Sequence, residues 1–402
     1  MIAFLKQYKS QSEKALLALV VIVICYATIF VYPVAIINRI LGGLGFLVMP
    51  IIYVLLAASV LTDKGVTKYV RFSDVGLVLF FFIYILFSLL IDEPQQTAAI
   101  SEALVPEFLP CIPFLLFGLC LRIDATAMDT LGKWSCLAII MTSFYRMYYQ
   151  DASAEWENDY NMSAAYELLP NILLAINYCF HAKKKIIPII CSTIGFFYLF
   201  AMGTRGPIVV SFALLIICIF LYASEKISLK RIIPILIIAG IMIGVIMTNL
   251  LTILEWLGGV LSSMGLSTRV IELSLAEEVI SNTSGRDDIY DLLLSKMDTL
   301  PFFGYGVLGE NRFNILTAHN LYIQSIFDYG YVLGGSIIMF LVIISVKAFF
   351  KTRGRITQQW IIIWMVFVLV RGFFGGGILR FETFMLIGCC LRVIRMNKIE
   401  IQ

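Results

Sequence analysis

Residues 186–224 read IIPIICSTIGFFYLFAMGTRGPIVVSFALLIICIFLYAS, two apolar runs joined by Gly203-Thr204-Arg205-Gly206-Pro207. Arg205 is the single charge in this stretch, and Lys183, Lys184 and Lys185 before it and Glu225 and Lys226 after it mark its limits. A helix on the surface of a soluble protein carries a polar face, and neither run has one. Each is close to the roughly 20 residues that cross a bilayer, so the pair reads as a transmembrane hairpin turning at Arg205. The whole chain repeats this texture. Its 402 residues are 60% hydrophobic and 14% charged, with a mean hydropathy of +0.92. No water-soluble core hides that much apolar surface, which excludes a soluble enzyme, a secreted disulfide scaffold and a nucleic-acid binder.

Long apolar runs broken by charge, Gly or Pro predict spans at 15–36, 41–62, 74–91, 104–121, 130–148, 164–180, 186–203, 207–224, 232–253, 320–349, 358–376 and 379–396. The expected fold is an all-α polytopic membrane protein of about twelve transmembrane helices. Residues 1–402 then form a single integral membrane domain, with a large extracytoplasmic loop at 254–319 that contains short amphipathic helices. The first run is too long for a signal-peptide core and lacks a small-x-small cleavage site, so it is expected to stay as an anchor, with no soluble domain before or after the spans. Twelve crossings from a cytoplasmic N-terminus put 21 Lys and Arg on the inner face and 9 on the outer, while Asp and Glu divide 7 to 20. Positive charge inside and an even span number therefore agree, with both termini cytoplasmic. The nine cysteines form no CxxC pair and mostly lie inside apolar runs, so they read as small buried hydrophobes. No internal repeat of the kind common in secondary transporters is detectable.

The outer face carries the polar segments 92–103, 149–163 and 254–319. Its cations are Arg39, Arg146, Arg205, Arg269, Arg286, Lys296, Arg312, Arg371 and Arg380, almost all arginine. Lysine serves for a solvated charge, whereas the planar guanidinium binds phosphate or carboxylate in bidentate fashion. Pairing with outer carboxylates is the structural alternative. Arg205 is the most constrained, because the chain must reverse within about four residues and Pro207 suits the first turn of the next helix. An arginine fixed at a helix start, where N–H groups point outward, makes a phosphate site; the alternative is a snorkelling arginine in an ordinary hairpin. Arg286 follows Ser284-Gly285 at the head of a segment in which Ile289, Leu292, Leu293 and Met297 fall at helical spacing, and the same logic applies to it. Asp287, Asp288 and Asp291 fit the electrostatics of that helix start better than a divalent-metal cluster.

Of the two histidines, His181 sits beside Lys183 on the inner face and reads as a solvated span end. His319, in Thr317-Ala318-His319-Asn320, stands where the large outer loop re-enters the membrane. Its intrinsic pKa near neutrality suits it to take a proton from a hydroxyl. Arg371 and Arg380 flank the last outer turn and are candidates to bind a second pyrophosphate or the glycan. Outward tyrosines and tryptophans, among them Tyr148, Tyr149, Trp156, Tyr160 and Tyr305, suit either sugar stacking or an interfacial belt.

The ordered set GTRG, SGR, Leu300-Pro301-Phe302-Phe303-Gly304-Tyr305-Gly306, His319-Asn320-Leu321-Tyr322-Ile323-Gln324 and Asp328-Tyr329-Gly330, covering about 201–335, resembles the O-antigen ligase/polymerase family of bacterial membrane glycosyltransferases. That resemblance implies undecaprenyl-pyrophosphate-linked glycan as donor and acceptor, and transfer without metal or other cofactor. It places the reaction on the outer side of the bacterial cytoplasmic (inner) membrane, facing the periplasm or the cell exterior. Carried over residue by residue, it makes His319, Arg286 and Arg205 the catalytic set. Asn320, Tyr322, Tyr305, Arg371 and Arg380 join them as substrate-binding candidates. The arginines would stabilise charge growing on the pyrophosphate leaving group, and His319 would deprotonate the acceptor hydroxyl for an inverting displacement. The expected products are O-antigen, capsular or exopolysaccharide chains, and the expected partners are membrane lipid, a chain-length regulator and a flippase, with no nucleic acid. Ligases of this family often show His-x-His where Thr317 stands here, which favours polymerase. The alternatives are an O-antigen ligase that transfers finished glycan to lipid A core or another acceptor, and a polysaccharide precursor flippase. Lys133, Asp328 and Glu382 lie within predicted spans and keep the transport alternative open.

Overall fold

The computed structural model describes residues 11–25, 28–29, 67–90, 94–100, 108, 111–149, 162–202, 204–226, 250–263, 268, 286–315, 318–352 and 354–396. Every regular element among them is helical. The longer ones are α1 (Gln11–Ile24), α2 (Phe72–Leu89), α3 (Pro94–Ala99), α4 (Cys111–Cys120), α5 (Ala125–Tyr149), α6 (Met162–Cys179), α7 (Ile186–Ala201) and α8 (Arg205–Lys226). They continue with α9 (Leu250–Ser263), α10 (Arg286–Met297), α11 (Leu321–Lys351), α12 (Arg355–Met365) and α13 (Phe381–Arg395). Among the described residues three helices are long and apolar enough to cross a bilayer, Phe72–Leu89, Leu321–Lys351 and Arg355–Phe373; Cys111–Cys120, Ile186–Phe200 and Gly206–Tyr222 are shorter apolar helices. The span expected at 41–62, and that at 232–253 except for its last turn, lie outside the described residues.

Three expected boundaries move, each for a local reason. The outer loop was set to begin at 254, yet α9 runs through that point, because Glu255 and Trp256 are exposed and a single surface charge does not end a helix. The expected span 320–349 is broken at Gly330, whose φ of 79° and ψ of 168° are not helical. The expected span 358–376 widens after α12 into a π turn, Val366–Val370, and then tightens into a 3-10 turn, Arg371–Phe373.

The helices bury polar groups and expose apolar ones. On α2, Val75, Leu79, Phe82, Ile83 and Leu86 follow one another at helical spacing and all are exposed. On α11 the same holds for Met339, Ile343, Val346 and Phe350. Stripes of this size face hydrocarbon rather than water.

The described residues fall into two compact units, Met1–Val23 with Val34–Met128 and Gly285–Gln402, and Ile24–Pro33 with Asp129–Ser284. In the second unit α6 is the centre, packed by α7 and α8 and buried from Leu168 to Ile176. Its Asn171 donates to the Ile24 carbonyl at 3.2 Å and accepts from the Cys25 thiol at 3.4 Å, which satisfies a buried amide between apolar helices. All nine cysteines are free, and all but Cys179 are buried, as small hydrophobes should be.

In the first unit α4 and α13 touch backbone to backbone. A Cβ on Gly118 would lie 2.7 Å from the Cys389 nitrogen, and one on Gly388 would meet the Leu115 carbonyl. Small residues permit this approach, which maximises dispersion contact where no hydrophobic drive exists between helices. The end of α13 is fixed by Arg395, which takes both oxygens of Asp74 at 2.6 Å and the Tyr69 carbonyl at 2.6 Å. Both side chains of this pair are buried.

Removing one partner of such a pair strands a buried charge, which costs about 3–5 kcal/mol. Arg395→Met should therefore lower the unfolding temperature in detergent sharply, whereas the double variant Asp74→Leu/Arg395→Met should recover most of the loss. Equal unfolding temperatures for the single variant and the unaltered protein would mean that the pair contributes nothing.

Candidate active site

The site grows from the broken helix α11. With Gly330 out of helical geometry, the carbonyls just before it lose their intrahelical donors. They are recaptured by the loop that precedes the helix. Tyr305 N–H donates to the Phe327 carbonyl at 2.9 Å, and Gly306 N–H to the Asp328 carbonyl at 3.0 Å. Gly304 (φ 72°) and Gly330 (φ 79°) face each other across this contact. A Cβ on Gly304 would strike the Asp328 carbonyl, and one on Gly330 the Phe302 carbonyl. The motif Phe302-Phe303-Gly304-Tyr305-Gly306 thus pairs directly with Asp328-Tyr329-Gly330.

Helices α2 and α3 clamp the loop from the other side. Tyr84 donates to the carbonyls of Phe303 and Asp328, and Ser88 Oγ accepts Val307 N–H at 2.8 Å. Buried Gln96 donates to the carbonyls of Tyr305 and Val307 and accepts from Arg312 Nε at 2.6 Å. Below them Leu293, Ile315, Ala318 and Phe327 form an apolar cluster that Ile289, Met297 and Ile323 join. Helix α10 therefore packs through Ile289, Leu293 and Met297, as its periodicity predicts, but Leu292 points to the exposed side.

Three non-glycine residues have positive φ among the described residues, and all lie in this loop: Leu308 (55°), Asn314 (59°) and His319 (49°). The left-handed conformation costs an L-residue roughly 1–2 kcal/mol, and such strain concentrates at functional sites. Leu308 and Asn314 bracket a 3-10 turn, Gly309–Phe313. His319 is half-buried and immediately precedes Asn320, the N-cap of α11, whose side chain accepts from Tyr322 N–H at 3.0 Å and Ile323 N–H at 3.1 Å. The cap fixes the backbone beside the imidazole.

Behind His319 sits a buried carboxyl pair. Glu310 accepts from Gln324 Nε2 at 2.9 Å and from the Ala318 amide, and its side chain interacts with that of Asp328. Asp328 in turn accepts Gly309 N–H at 3.1 Å. Burial penalises the charged form and pushes the Glu310 carboxyl up to about 7, against the opposing effect of its own amide, Asp328 and Ala318. Two touching carboxyls share the site most cheaply with one proton between them.

The sequence candidates fall out as follows. His319, Asn320 and Tyr322 stand at the head of α11, and the turn that bears Arg371 and Arg380 packs on Tyr322 and Gln324. Tyr322 donates to the Leu369 carbonyl at 2.5 Å and packs on Phe373, and a Cβ on Gly372 would lie 3.3 Å from its ring. A Cβ on Gly376 would lie 3.7 Å from Arg380 Cδ and 3.9 Å from Arg371 Cζ, so the glycine turn brings both arginines to one place. Gly377 reaches Gln324, which links this turn to the carboxyl pair. Arg371 is buried and ion-paired with Glu382, while Arg380 is half-exposed as the N-cap of α13. Tyr305 stands one layer away, its ring against Phe327 and Phe313 and 5.7 Å from the Arg312 guanidinium. Arg286 heads α10 in the same unit and Arg205 heads α8 in the other; the side chains of both lie outside the described residues. Sequence reasoning missed Gln96, Glu310 and Gln324. Their only signal was polarity in segments 92–103 and 254–319 and one amide in an apolar helix.

The three charges expected inside spans all have local partners. Lys133 pairs with Asp129 at 2.5 Å one turn away, Asp328 with the loop backbone and Glu310, and Glu382 with Arg371. A scan against protein-family models and a search of curated proteins find no match to the chain.

Because Glu310 titrates higher in the folded protein than in an unfolded chain, its contribution to stability is complete below about pH 4.5 and is lost as the pH rises through about 7. Hydrogen exchange at the Gly309 and Ala318 amides, corrected for intrinsic rate, should accelerate over that interval. Glu310→Gln keeps an acceptor for Gln324 and should abolish the change. The same acceleration in the variant would show that another group is responsible.

Proposed function

We propose that this chain is a glycosyltransferase that polymerises undecaprenyl-pyrophosphate-linked repeat units on the outer side of the bacterial cytoplasmic membrane, through about twelve spans with both termini inside. The observation that carries the reading is the backbone strain at His319, a half-buried residue between Ala318, whose amide reaches the buried Glu310, and Asn320, the N-cap of α11. A histidine held this way suits general-base catalysis, which needs a group of near-neutral pKa in a fixed place.

In this mechanism the acceptor sugar hydroxyl gives its proton to His319 as its oxygen attacks the anomeric carbon of the donor. The bond from that carbon to the pyrophosphate oxygen breaks with inversion. Negative charge grows on the pyrophosphate, and Arg286, the first residue of a helix, stabilises it together with the first-turn N–H groups, a role that the resemblance also gives to Arg205. Arg380 binds the second pyrophosphate or the glycan, and Arg371, neutralised by Glu382, holds the turn in shape. Lys133, Asp328 and Glu382 each have a local partner that satisfies them without a substrate, which supports the transferase reading over the transport alternative.

Purified protein given one synthetic polyprenyl-pyrophosphate oligosaccharide should yield a ladder of products. No product without a second acceptor would assign a ligase instead, and translocation in vesicles without new bonds a flippase. His319→Ala should reduce the ladder by at least about a hundredfold while the protein still reaches the membrane; unaltered polymer length would remove the base. Arg205→Lys should be nearly as damaging as Arg205→Ala, because a point charge lacks the bidentate fork. Full activity with lysine would mean that charge alone matters. A chelator should leave the rate unchanged.

A further inference from the structure

At the far end of the first unit lies a cavity of about 310 Å³ lined by Arg122, Asp124, Gly354, Arg355, Trp360 and Arg392, among others. It has no part in the site around His319. Lys351, the last residue of α11, donates to the carbonyls of Ile394 and Met396, and Met396 lines the cavity, whereas His319 stands at the opposite end of the same helix. The 21 residues from Tyr331 to Lys351 rise about 31 Å, close to the thickness of a hydrocarbon core.

The chemistry of the lining is that of an anion site. Arg122, Arg355 and Arg392 line it together with one carboxylate, Asp124, whose Oδ1 caps α5 by accepting Ala127 N–H at 2.9 Å. Arg392 is held by Nη1 on the carbonyls of Leu119 and Cys120 and by the Tyr69 ring, which leaves Nε and Nη2 without hydrogen bonds among the described residues. Arg122 is exposed and makes no hydrogen bond among the described residues. The start of α12 adds to this. Its N-cap is Gly354, with no side-chain cap, and the lining residues Arg355, Ile356 and Thr357 are its first turn, whose N–H groups have no intrahelical acceptor. Two guanidiniums with unused N–H groups beside an uncapped helix N-terminus suit an anion between them.

We propose that this cavity binds a phosphate group on the membrane face opposite His319, carried either by the head of an anionic phospholipid or by a soluble phosphate. Basic pockets between membrane helices take acidic lipid heads by this chemistry, and a cluster of guanidiniums favours a head of net negative charge over a zwitterionic one, whose phosphate is offset by its own cation. The inference is independent of the transferase reading, because its test reads binding and not turnover.

The test uses the full chain in non-ionic detergent. Native mass spectrometry with phosphatidylglycerol and phosphatidylcholine, and thermal stabilisation by inorganic pyrophosphate, separate the two sources. Retention of phosphatidylglycerol at least about tenfold above phosphatidylcholine assigns the lipid head; stabilisation by pyrophosphate without that preference assigns a soluble phosphate. Either effect should fall by about tenfold in Arg122→Gln/Arg355→Gln. Arg122→Gln alone, at an exposed position, decides the matter if the double variant does not fold. Equal retention of both lipids with no effect of pyrophosphate, or binding unchanged in Arg122→Gln and in a folded double variant, overturns the proposal.

Discussion

The carbonyls of Phe327 and Asp328 are the point on which the first unit turns. An unbroken helix would satisfy them internally, and the loop before it would have no place to dock. Glycine at 330 breaks the helix, glycine at 304 lets the loop backbone come within hydrogen-bond distance, and neither position tolerates a side chain. From that contact follow the Tyr305 and Gly306 bonds, the clamp from Tyr84, Ser88 and Gln96, and the strained turns that end at His319. Inside an apolar bundle each orphaned carbonyl costs several kcal/mol, which is why so many side chains converge on so few backbone groups.

The same accounting explains the buried acids. Asp328 and Glu310 are expensive to bury in charged form, yet each is tied to backbone N–H groups of the loop that leads to the histidine.

The unit has two polar ends separated by apolar helix. One gathers an imidazole, a cap and a glycine turn with two arginines. The other gathers three arginines around a cavity. Between them the side chains that face outward are aliphatic and aromatic, which separates the two ends by about one bilayer thickness.

Much of this was legible in the sequence. Continuous apolar runs of span length point to the helical class, because in lipid a single segment satisfies its backbone within itself only as a helix. Arg205 and Arg286 were read as helix starts from Pro207 and from the Ile289, Leu293, Met297 spacing, and both head helices. His319 and Asn320 were placed at the head of a span because polarity changes there. What the sequence does not carry is pairing across distance. Arg371 reads as a free outer cation until Glu382 is found against it, and Asp328 reads as an intruder in a span until the loop amides close on it. Gln96 and Glu310 have no local pattern at all, and Gln324 stands in a motif that gives it no role, since a buried amide or carboxyl is defined by the partner that satisfies it, and the partner lies far along the chain. Periodicity is a property of neighbours along the chain and survives in one dimension; hydrogen-bond satisfaction is a property of neighbours in space, and only the folded chain decides it.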